Sequence, residues 1–191
     1  MSRITVIGAG FAALSAVRRL RKQVPQAPIT LVAPQPQLLY YPSLIWIPAG
    51  LRRSEDLQVD LRPFLEHHGV DFHAGRVTGL RDGGRTVVTD TGDITNDGLI
   101  IASGGRFLDR PPGTEHTTTI CQGTAAAESL RDRLTELDGG PLAFGFASNP
   151  DEPAAMRGGP MFELLFGTET LLRRQGRRDR FRLVFFTPAP E

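Results

Sequence analysis

The stretch Arg3-Ile4-Thr5-Val6-Ile7-Gly8-Ala9-Gly10-Phe11-Ala12-Ala13-Leu14 joins an apolar run, a glycine turn and the start of an amphipathic segment. The β-branched and apolar residues at its start predict a buried parallel strand. Gly8 permits a tight turn, Gly10 lets a pyrophosphate approach the backbone, and Ala13 lets the following helix pack closely on the sheet. The N–H groups that open this helix would face the phosphates. The pattern predicts a dinucleotide-binding turn, with an accidental glycine turn as the alternative. Its candidate cofactor-binding residues are Gly8, Ala9, Gly10, Phe11, Ala12 and Ala13.

The composition suits a soluble globular protein of one domain, or of one domain and part of another. The 191 residues are 40% hydrophobic and 23% charged, and the net charge of +1 gives no support to a nucleic-acid partner. Cys121 is the single cysteine, so no internal disulfide can form and a reducing compartment is expected. No apolar run is long enough to span a bilayer, and the first residues lack a signal-peptide pattern. We therefore expect a cytoplasmic protein.

A second strand is predicted to complete a βαβ unit. Residues 11–22 have apolar side chains at helical spacing, and residues 29–32 form another short apolar run. The end of such a second strand usually provides Asp or Glu for the ribose hydroxyls of a dinucleotide. Here that position falls on Ala33. The amide of Gln35 is the alternative candidate for the ribose, and an ordinary exposed loop residue is an equal interpretation.

Residues 36–50 contain both tyrosines and the single tryptophan of the chain, bounded by prolines. A concentration of aromatic side chains suggests packing over a flat group. Two interpretations stay open with equal weight. The segment is either a loop and short helix that cover the core, or a wall that faces a flavin.

The histidines do not predict a metal site. A short helix is expected to end at His67-His68-Gly69, before a strand over residues 70–74 that contains His73. Two adjacent histidines cannot face one metal ion from the same side of a helix, and no Cys, Asp or Glu cluster completes a ligand set. We interpret these three histidines as structural or solvated.

A β meander is predicted between two parallel strands of the sheet. Runs at 76–80, 86–89 and 94–95 are separated by glycine-containing turns, which are hairpin signals. The next apolar strand ends in Ala102-Ser103-Gly104-Gly105. Small residues at this end of a parallel strand would bring the backbone close to a ligand at the same edge as Gly8. The alternative is a simple glycine turn after a core strand.

These motifs, in this order, resemble the FAD-binding part of the pyridine nucleotide-disulfide oxidoreductases, which are flavoproteins with two dinucleotide-binding domains. Within them the chain is most similar to the sulfide:quinone oxidoreductase and flavocytochrome c sulfide dehydrogenase branch, with type II NADH dehydrogenases as the competing branch. The resemblance covers the whole chain and implies an α/β fold: a Rossmann-like domain with a central parallel sheet and a β meander, followed by the start of a second Rossmann-like domain. It also implies that residues 8–13 hold the FAD pyrophosphate. The further cofactor contacts that it implies are Val77 near the adenine, Pro42 and Ser43 near the flavin, and Ala102, Ser103 and Gly104 in place of the family's Ala-Thr-Gly segment.

The second part of the chain is predicted to begin another dinucleotide-binding domain. We expect residues 1–110 to form the FAD-binding domain and residues 111–191 the first part of an NAD(P)-type domain. A helix over 124–137, with Ala127, Leu130, Leu134 and Leu137 facing inward, precedes a strand, a helix and another strand ending near residue 186. The loop after the first of these strands, residues 145–150, lacks a second glycine, which weakens the support for NAD(P).

Cys121 is the candidate catalytic residue, because the resemblance places it where sulfide-oxidising relatives have a redox cysteine. The partner cysteine expected just before Gly159-Pro160 is absent, and Met156 and Arg157 occupy that stretch. One sulfur cannot form a relay disulfide. A buried structural cysteine is the competing interpretation.

The predicted function is that of an FAD-dependent oxidoreductase that moves electrons from a small reductant through FAD to an acceptor, with a quinone among the acceptors that the resemblance allows. The alternatives are an NADH:acceptor oxidoreductase and a non-catalytic dinucleotide-binding module. Relatives continue beyond the position of Glu191, so we expect an N-terminal portion that is inactive alone. Any membrane association is expected through the missing part, at the inner face of the membrane, and a homodimer is compatible with the resemblance. The arginine-rich run 173–180 is interpreted as a helix end and its exit.

Overall fold

The structure is a computed structural model that describes residues 2–105, 113–146 and 158–187. Its strands are β1 (Ile4–Ile7), β2 (Ile29–Ala33), β3 (Gln37–Leu39), β4 (Gln58–Asp60), β5 (Asp71–Ala74), β6 (Val77–Arg81), β7 (Thr86–Thr89), β8 (Ile94–Thr95), β9 (Gly98–Ile101), β10 (Gly140–Gly145) and β11 (Phe181–Phe186). Its α-helices are α1 (Phe11–Gln23), α2 (Arg62–His67), α3 (Thr124–Glu136) and α4 (Gly159–Arg174). The chain divides into two compact units, Met1–Leu39 with Gln58–Arg106 and Tyr40–Leu57 with Phe107–Glu191.

The first unit is built on a parallel sheet with strand order β5-β2-β1-β9. β1 lies between β2 and β9, with Ile7 opposite Val32 on one side and Ile101 on the other. Val6, Leu31 and Val32 are almost fully buried, as expected for strands that are covered on both faces. On α1, Ala13 and Val17 are fully buried in the same core, which explains the helical spacing of the apolar residues. The predicted α/β fold with a central parallel sheet is confirmed.

Two smaller sheets complete the first unit. β6, β7 and β8 form the predicted antiparallel meander. β3 and β4 form an antiparallel pair that the sequence did not predict. Residues 37–39, at the start of the segment predicted to cover the core or to face a flavin, form a strand in which Leu38 is buried between two more exposed neighbours. All three residues of β4 are exposed, so the strand has no buried side chain.

The second unit contains a parallel βαβ arrangement, in which β10 pairs with β11 along six residues and α4 joins them in sequence. Residues 40–57 belong to this unit, where Ile47 and Leu57 are almost fully buried. Ala127 and Leu134 of α3 face inward as predicted, but Leu137 is 40% exposed because the helix ends one residue earlier, at Glu136. α4 ends at Arg174 near Gly176, whose φ is +64°, so the arginine-rich run includes a helix end and its exit.

Among the residues that the structure describes, no helix combines the length and the apolar character that a membrane span requires.

Candidate functional site at the carboxyl edge of the parallel sheet

Three neighbouring strands bring the glycine-rich segments of the first unit to one edge of the sheet. Parallel strands end at the same edge, and in-register pairing places the ends of β1, β2 and β9 side by side. The Gly8 N–H donates to the Val32 carbonyl over 2.8 Å, and the Ala102 N–H donates to the Ile7 carbonyl over 2.8 Å. The structure therefore brings together three of the segments that the sequence singled out, residues 8–13, 33–35 and 102–104.

Gly8 is required by both its backbone angle and its surroundings. Its φ is +113°, in the left-handed region that favours glycine. A Cβ at this position would lie 2.3 Å from the Ala102 carbonyl oxygen, which is closer than real Cβ atoms come. The turn after β1 therefore passes directly against the segment that follows β9. This close approach is the structural reason for the first glycine of the motif.

Gly10 differs from Gly8, because nothing in the described part of the chain requires a glycine there. Its φ of −89° and ψ of −176° are ordinary extended values, and a Cβ added to it would meet no described atom within 4 Å. It is the N-cap of α1, no side chain caps the helix, and the first turn contains no acidic residue. Such a helix start provides backbone N–H groups and a positive dipole end for an anion. The open backbone fits the diphosphate of FAD.

The other residues of the turn differ in burial. Ala13 is fully buried, which lets α1 lie close to the sheet, and Ala9 is half-buried beside the core. Ala12 is exposed and Phe11 is 49% exposed at the open side of the turn. Buried small side chains on one side and exposed backbone on the other are the arrangement that the motif predicts.

The ribose side of the site carries no acidic residue at the end of β2. Ala33 is buried there, and its carbonyl accepts a hydrogen bond from the Gly75 N–H over 3.0 Å. Its methyl group offers no hydrogen bond to a ribose. Gln35 lies two residues beyond β2 and is exposed. Its amide is thus the polar side-chain group nearest in sequence to this strand end.

Val77 is half-buried at the first position of β6, three residues after β5 ends at the same sheet edge. The backbone beside it is fixed by reciprocal bonds, because the Arg76 N–H donates to the Asp90 carboxylate over 2.7 Å and the Asp90 N–H donates to the Arg76 carbonyl over 3.1 Å. These hydrogen bonds fix the start of β6, which is the segment predicted to lie near the adenine.

A cluster of hydrogen-bonded polar side chains, which the sequence did not predict, lies beside the link between β5 and β6. His73 Nε2 lies 3.1 Å from Thr89 Oγ1 and 3.0 Å from Thr91 Oγ1. The Thr91 hydroxyl also donates to the Ala74 carbonyl, and a Cβ on Gly75 would lie 2.5 Å from Thr91 Oγ1. His68 is bonded as well, with Nδ1 2.9 Å from the Phe64 carbonyl oxygen. The one sequence signal near the cluster is the glycine-containing turn at 90–93, which predicts only a hairpin.

Ser103 and Gly104 follow β9 and are exposed, and Ala102 is half-buried. Gly104 has a φ of +81°, which favours glycine, and among the described residues a Cβ there would meet no atom within 4 Å. The segment leaves the sheet with its backbone open. It satisfies the geometric expectation for a strand end that approaches a ligand.

Pro42, Ser43 and Cys121 belong to the second unit. Pro42 and Ser43 lie in a 3-10 helix, Tyr41–Trp46, in which Pro42 is exposed and Ser43 is buried. Leu44, Ile45 and Ile47 are buried, as a segment that covers the core requires, while Tyr41 and Trp46 are 51% and 38% exposed. The flavin-facing interpretation stays a prediction. Cys121 is half-buried in a short 3-10 helix, where its N–H donates to Thr119 Oγ1 over 3.3 Å. The predicted partner stretch at Met156 and Arg157, and the loop 147–150, lie outside the described residues.

Comparisons with known proteins agree with this geometry. Residues 2–148 match the model of the family described as pyridine nucleotide-disulphide oxidoreductase. A sulfide-quinone reductase of Aquifex aeolicus is 28% identical over 98% of this chain and 43% of its own length. The X-ray structure of the sulfide:quinone oxidoreductase from this bacterium superposes with a TM-score of 0.83 at 27% identity, covering 100% of this chain and 44% of that one.

Other matches include enzymes that are named for NAD(+) or NADH. A nitric oxide reductase FlRd-NAD(+) reductase of Pectobacterium atrosepticum is 32% identical over 63% of this chain and 33% of its own length. The NADH-bound water-forming NADH oxidase of Lactobacillus brevis shares the fold, with a TM-score of 0.64 at 15% identity over 97% of this chain and 46% of that one. The chain spans less than half the length of these relatives. Because the family model matches most of the chain and the motif geometry agrees with it, this chain belongs to the pyridine nucleotide-disulphide oxidoreductase family.

Proposed function

We propose that the carboxyl edge of the β5-β2-β1-β9 sheet binds FAD. The turn of residues 8–13 would hold the diphosphate through the backbone N–H groups that open α1, and Ser103 and Gly104 would approach it from the end of β9. Val77 would lie beside the adenine, and Gln35 would hydrogen-bond the ribose in place of an acidic residue. The observation that carries the proposal is the open space at Gly10, where the protein itself would accept a side chain. A diphosphate bound in this space would explain why a glycine occupies position 10.

The reaction that we propose is electron transfer from a small reductant to an acceptor. Bound FAD would supply the two-electron redox chemistry, while the protein binds and orients it. Sulfide as donor and a quinone as acceptor are supported by the likeness to sulfide-quinone reductase over nearly the whole chain. A lipid-soluble quinone would bring the full-length protein to a membrane face.

Cys121 is our proposed catalytic residue, as a thiol that contacts the sulfur reductant. The 191 residues contain one cysteine, so they cannot form a disulfide among themselves. Its role within this chain is therefore that of a single thiol. Replacing Cys121 by Ser should leave FAD binding unchanged and slow flavin reduction by sulfide.

We also propose that the chain follows the two-domain plan, with residues 1–110 for FAD and residues 111–191 opening an NAD(P)-type domain. The parallel βαβ arrangement of β10, α4 and β11 supports the second assignment. NAD(P) has weaker support than FAD, because the loop after β10 lacks the second glycine of the phosphate-binding motif.

Reconstitution with FAD tests the cofactor assignment. The purified chain should acquire flavin absorbance, and Gly10→Val should weaken FAD binding by about tenfold or more, because its side chain would occupy the space next to the diphosphate. Gly159→Val is the matched control, since a Cβ there also meets no atom of the described residues within 4 Å and it too lies at the start of a helix. Equal affinity of the two variants would contradict the proposed site.

Anaerobic reduction tests the donor. The flavin of the full-length protein should bleach on addition of sulfide and recover its colour with a soluble quinone. Bleaching by NADH, without bleaching by sulfide, would replace the proposed donor with the nicotinamide alternative.

A further inference from the structure

The outer face of α1 carries a concentration of positive charge. We call Ser15, Arg18, Arg19 and Lys22 the basic face. These residues are three, four and seven positions apart, so they lie on one side of the helix. The opposite side, with Ala13 and Val17, is fully buried in the core. All four residues of the basic face are exposed, and their side chains line a shallow depression of about 210 Å³.

Within the part of the chain that the structure describes, the cations of the basic face have no protein partner. No hydrogen bond or ion pair joins Arg18, Arg19 or Lys22 to another residue in the ranges that the structure describes. Other surface arginines differ, as Arg62 pairs with Asp60 and Arg173 pairs with Glu169. Arg21 of the same helix is also occupied, because it donates to several backbone carbonyls.

The charge is segregated in the sequence as well. The first 54 residues contain seven arginine or lysine residues and no aspartate or glutamate, although the whole chain has 22 basic and 21 acidic residues. No acidic side chain of α1 can therefore offset the basic face from within the helix.

Helix stability alone does not explain this arrangement. Cations favour the last turn of a helix, which accounts for Arg21 and Lys22. Arg18 and Arg19 lie near the middle of α1, beyond the reach of that effect. Like charges four residues apart, such as Arg18 and Lys22, repel each other and weaken the helix. The arrangement is therefore one that an external anion would stabilise.

We propose that the basic face binds phosphate groups, at a site separate from the FAD edge. The basic face presents two guanidinium groups, an ammonium group and a hydroxyl. Together they can donate more hydrogen bonds than one carboxylate can accept, and they carry more positive charge than one carboxylate neutralises. A phosphate ester or diphosphate has several acceptor oxygens and a charge near −2, and guanidinium groups bind it in a bidentate manner. A soluble phosphate compound and the headgroup of an anionic phospholipid share this chemistry.

NMR titration of the isotope-labelled chain with inorganic pyrophosphate tests the site. The backbone amide signals of residues 15–22 should shift and saturate. The Arg18→Gln/Arg19→Gln/Lys22→Gln variant should bind at this face about tenfold more weakly or worse, because it removes all three cations that would donate to the phosphate oxygens. Pyrophosphate binding at residues 8–13 would be reported by other amides and would remain in the variant.

The control variant is Arg174→Gln/Arg180→Gln/Arg182→Gln, which removes the same charge from exposed arginines of the second unit. It should retain the shifts at α1. Retained helix signals in circular dichroism would establish that both variants are folded. Equal losses in the two variants would overturn the proposal.

Vesicle sedimentation distinguishes the two phosphate sources. Binding to phosphatidylglycerol vesicles but not to phosphatidylcholine vesicles, with loss in the α1 variant and retention in the control, would identify the lipid headgroup. Pyrophosphate binding without vesicle binding would identify a soluble phosphate compound. Both results support a phosphate site, and failure of both probes at low salt would refute it.

Discussion

At the scale of single residues, the two glycines of the opening motif have different roles. Gly8→Ala should lower the free energy of unfolding by about 1–3 kcal/mol or more, because it forces a positive φ on alanine and a Cβ against the Ala102 carbonyl. Gly10→Ala should cost less than about 1 kcal/mol, since only the helix-capping preference changes. Urea denaturation measures both. Similar losses would mean that the strained turn does not distinguish the two positions.

The stabilisation that the Asp60 carboxylate provides should depend on pH. Its carboxylate accepts hydrogen bonds from Arg62 Nε at 2.9 Å and from the Arg62 N–H at 3.0 Å. The side-chain hydrogen bond, followed by the backbone one, lowers the pKa of Asp60 below its ordinary value of 3.8. Because the folded-state pKa is lowered, the stabilisation exists at neutral pH and is lost as the pH falls through that pKa.

The measurement is an NMR titration of the Asp60 carboxyl. Arg62→Gln should raise the pKa of Asp60 toward 3.8, because it removes the side-chain donor. Arg53→Gln should leave Asp60 unchanged and raise the pKa of Asp56, which Arg53 lowers through backbone and side-chain hydrogen bonds. An Asp60 pKa that does not respond to Arg62 would contradict the assigned cause.

At the scale of elements, the strands of the parallel sheet and the meander were predictable, because the apolar runs at β1, β2 and β9 and the glycine turns of the meander are strong local signals. β4 was not predictable, since its three exposed residues are ordered by pairing with β3 across the intervening residues 40–57. Likewise, the sequence motif predicted the phosphate turn but not the cluster of His73, Thr89 and Thr91. That cluster depends on contacts between residues 16 and 18 positions apart.

Arg21 joins the end of α1 to the loop after α2, so replacing it should lower the free energy of unfolding. Its Nε donates to the His68 carbonyl over 2.5 Å, and its Nη atoms donate to the Ala27 and Gly69 carbonyls, each over 2.6 Å. Arg21→Gln should lower the free energy of unfolding by about 2 kcal/mol, the scale of hydrogen bonds to a charged group. Arg19→Gln on the exposed side is the control, expected within about 0.5 kcal/mol of the parent. A comparable loss in both variants in urea denaturation would refute the assigned role.

At the scale of the whole molecule, the family and fold class followed from the order of the motifs, because each motif occupies a fixed place in a βαβ sheet. The grouping of residues into packing units did not follow from their order. Residues 40–57 interrupt the first unit in sequence and belong to the second, where Ser54 donates a hydrogen bond to Glu128. A sequence shows such a grouping poorly, since the contacting residues lie 74 positions apart. The functional boundary near residue 110 stays a prediction.

The thermal stability of the whole chain should increase when FAD binds, because binding and folding are linked. A ligand that binds only the folded state stabilises it by about 2.7 kcal/mol when its free concentration is a hundred times its Kd. FAD at that excess should therefore raise the midpoint of thermal unfolding of the parent chain, measured by differential scanning calorimetry. Gly10→Val should unfold near the parent temperature without FAD, because the protein leaves space for the side chain, and should gain much less from FAD at the same concentration. If FAD stabilises both proteins equally, the flavin binds elsewhere, and the open backbone before α1 is not its phosphate site.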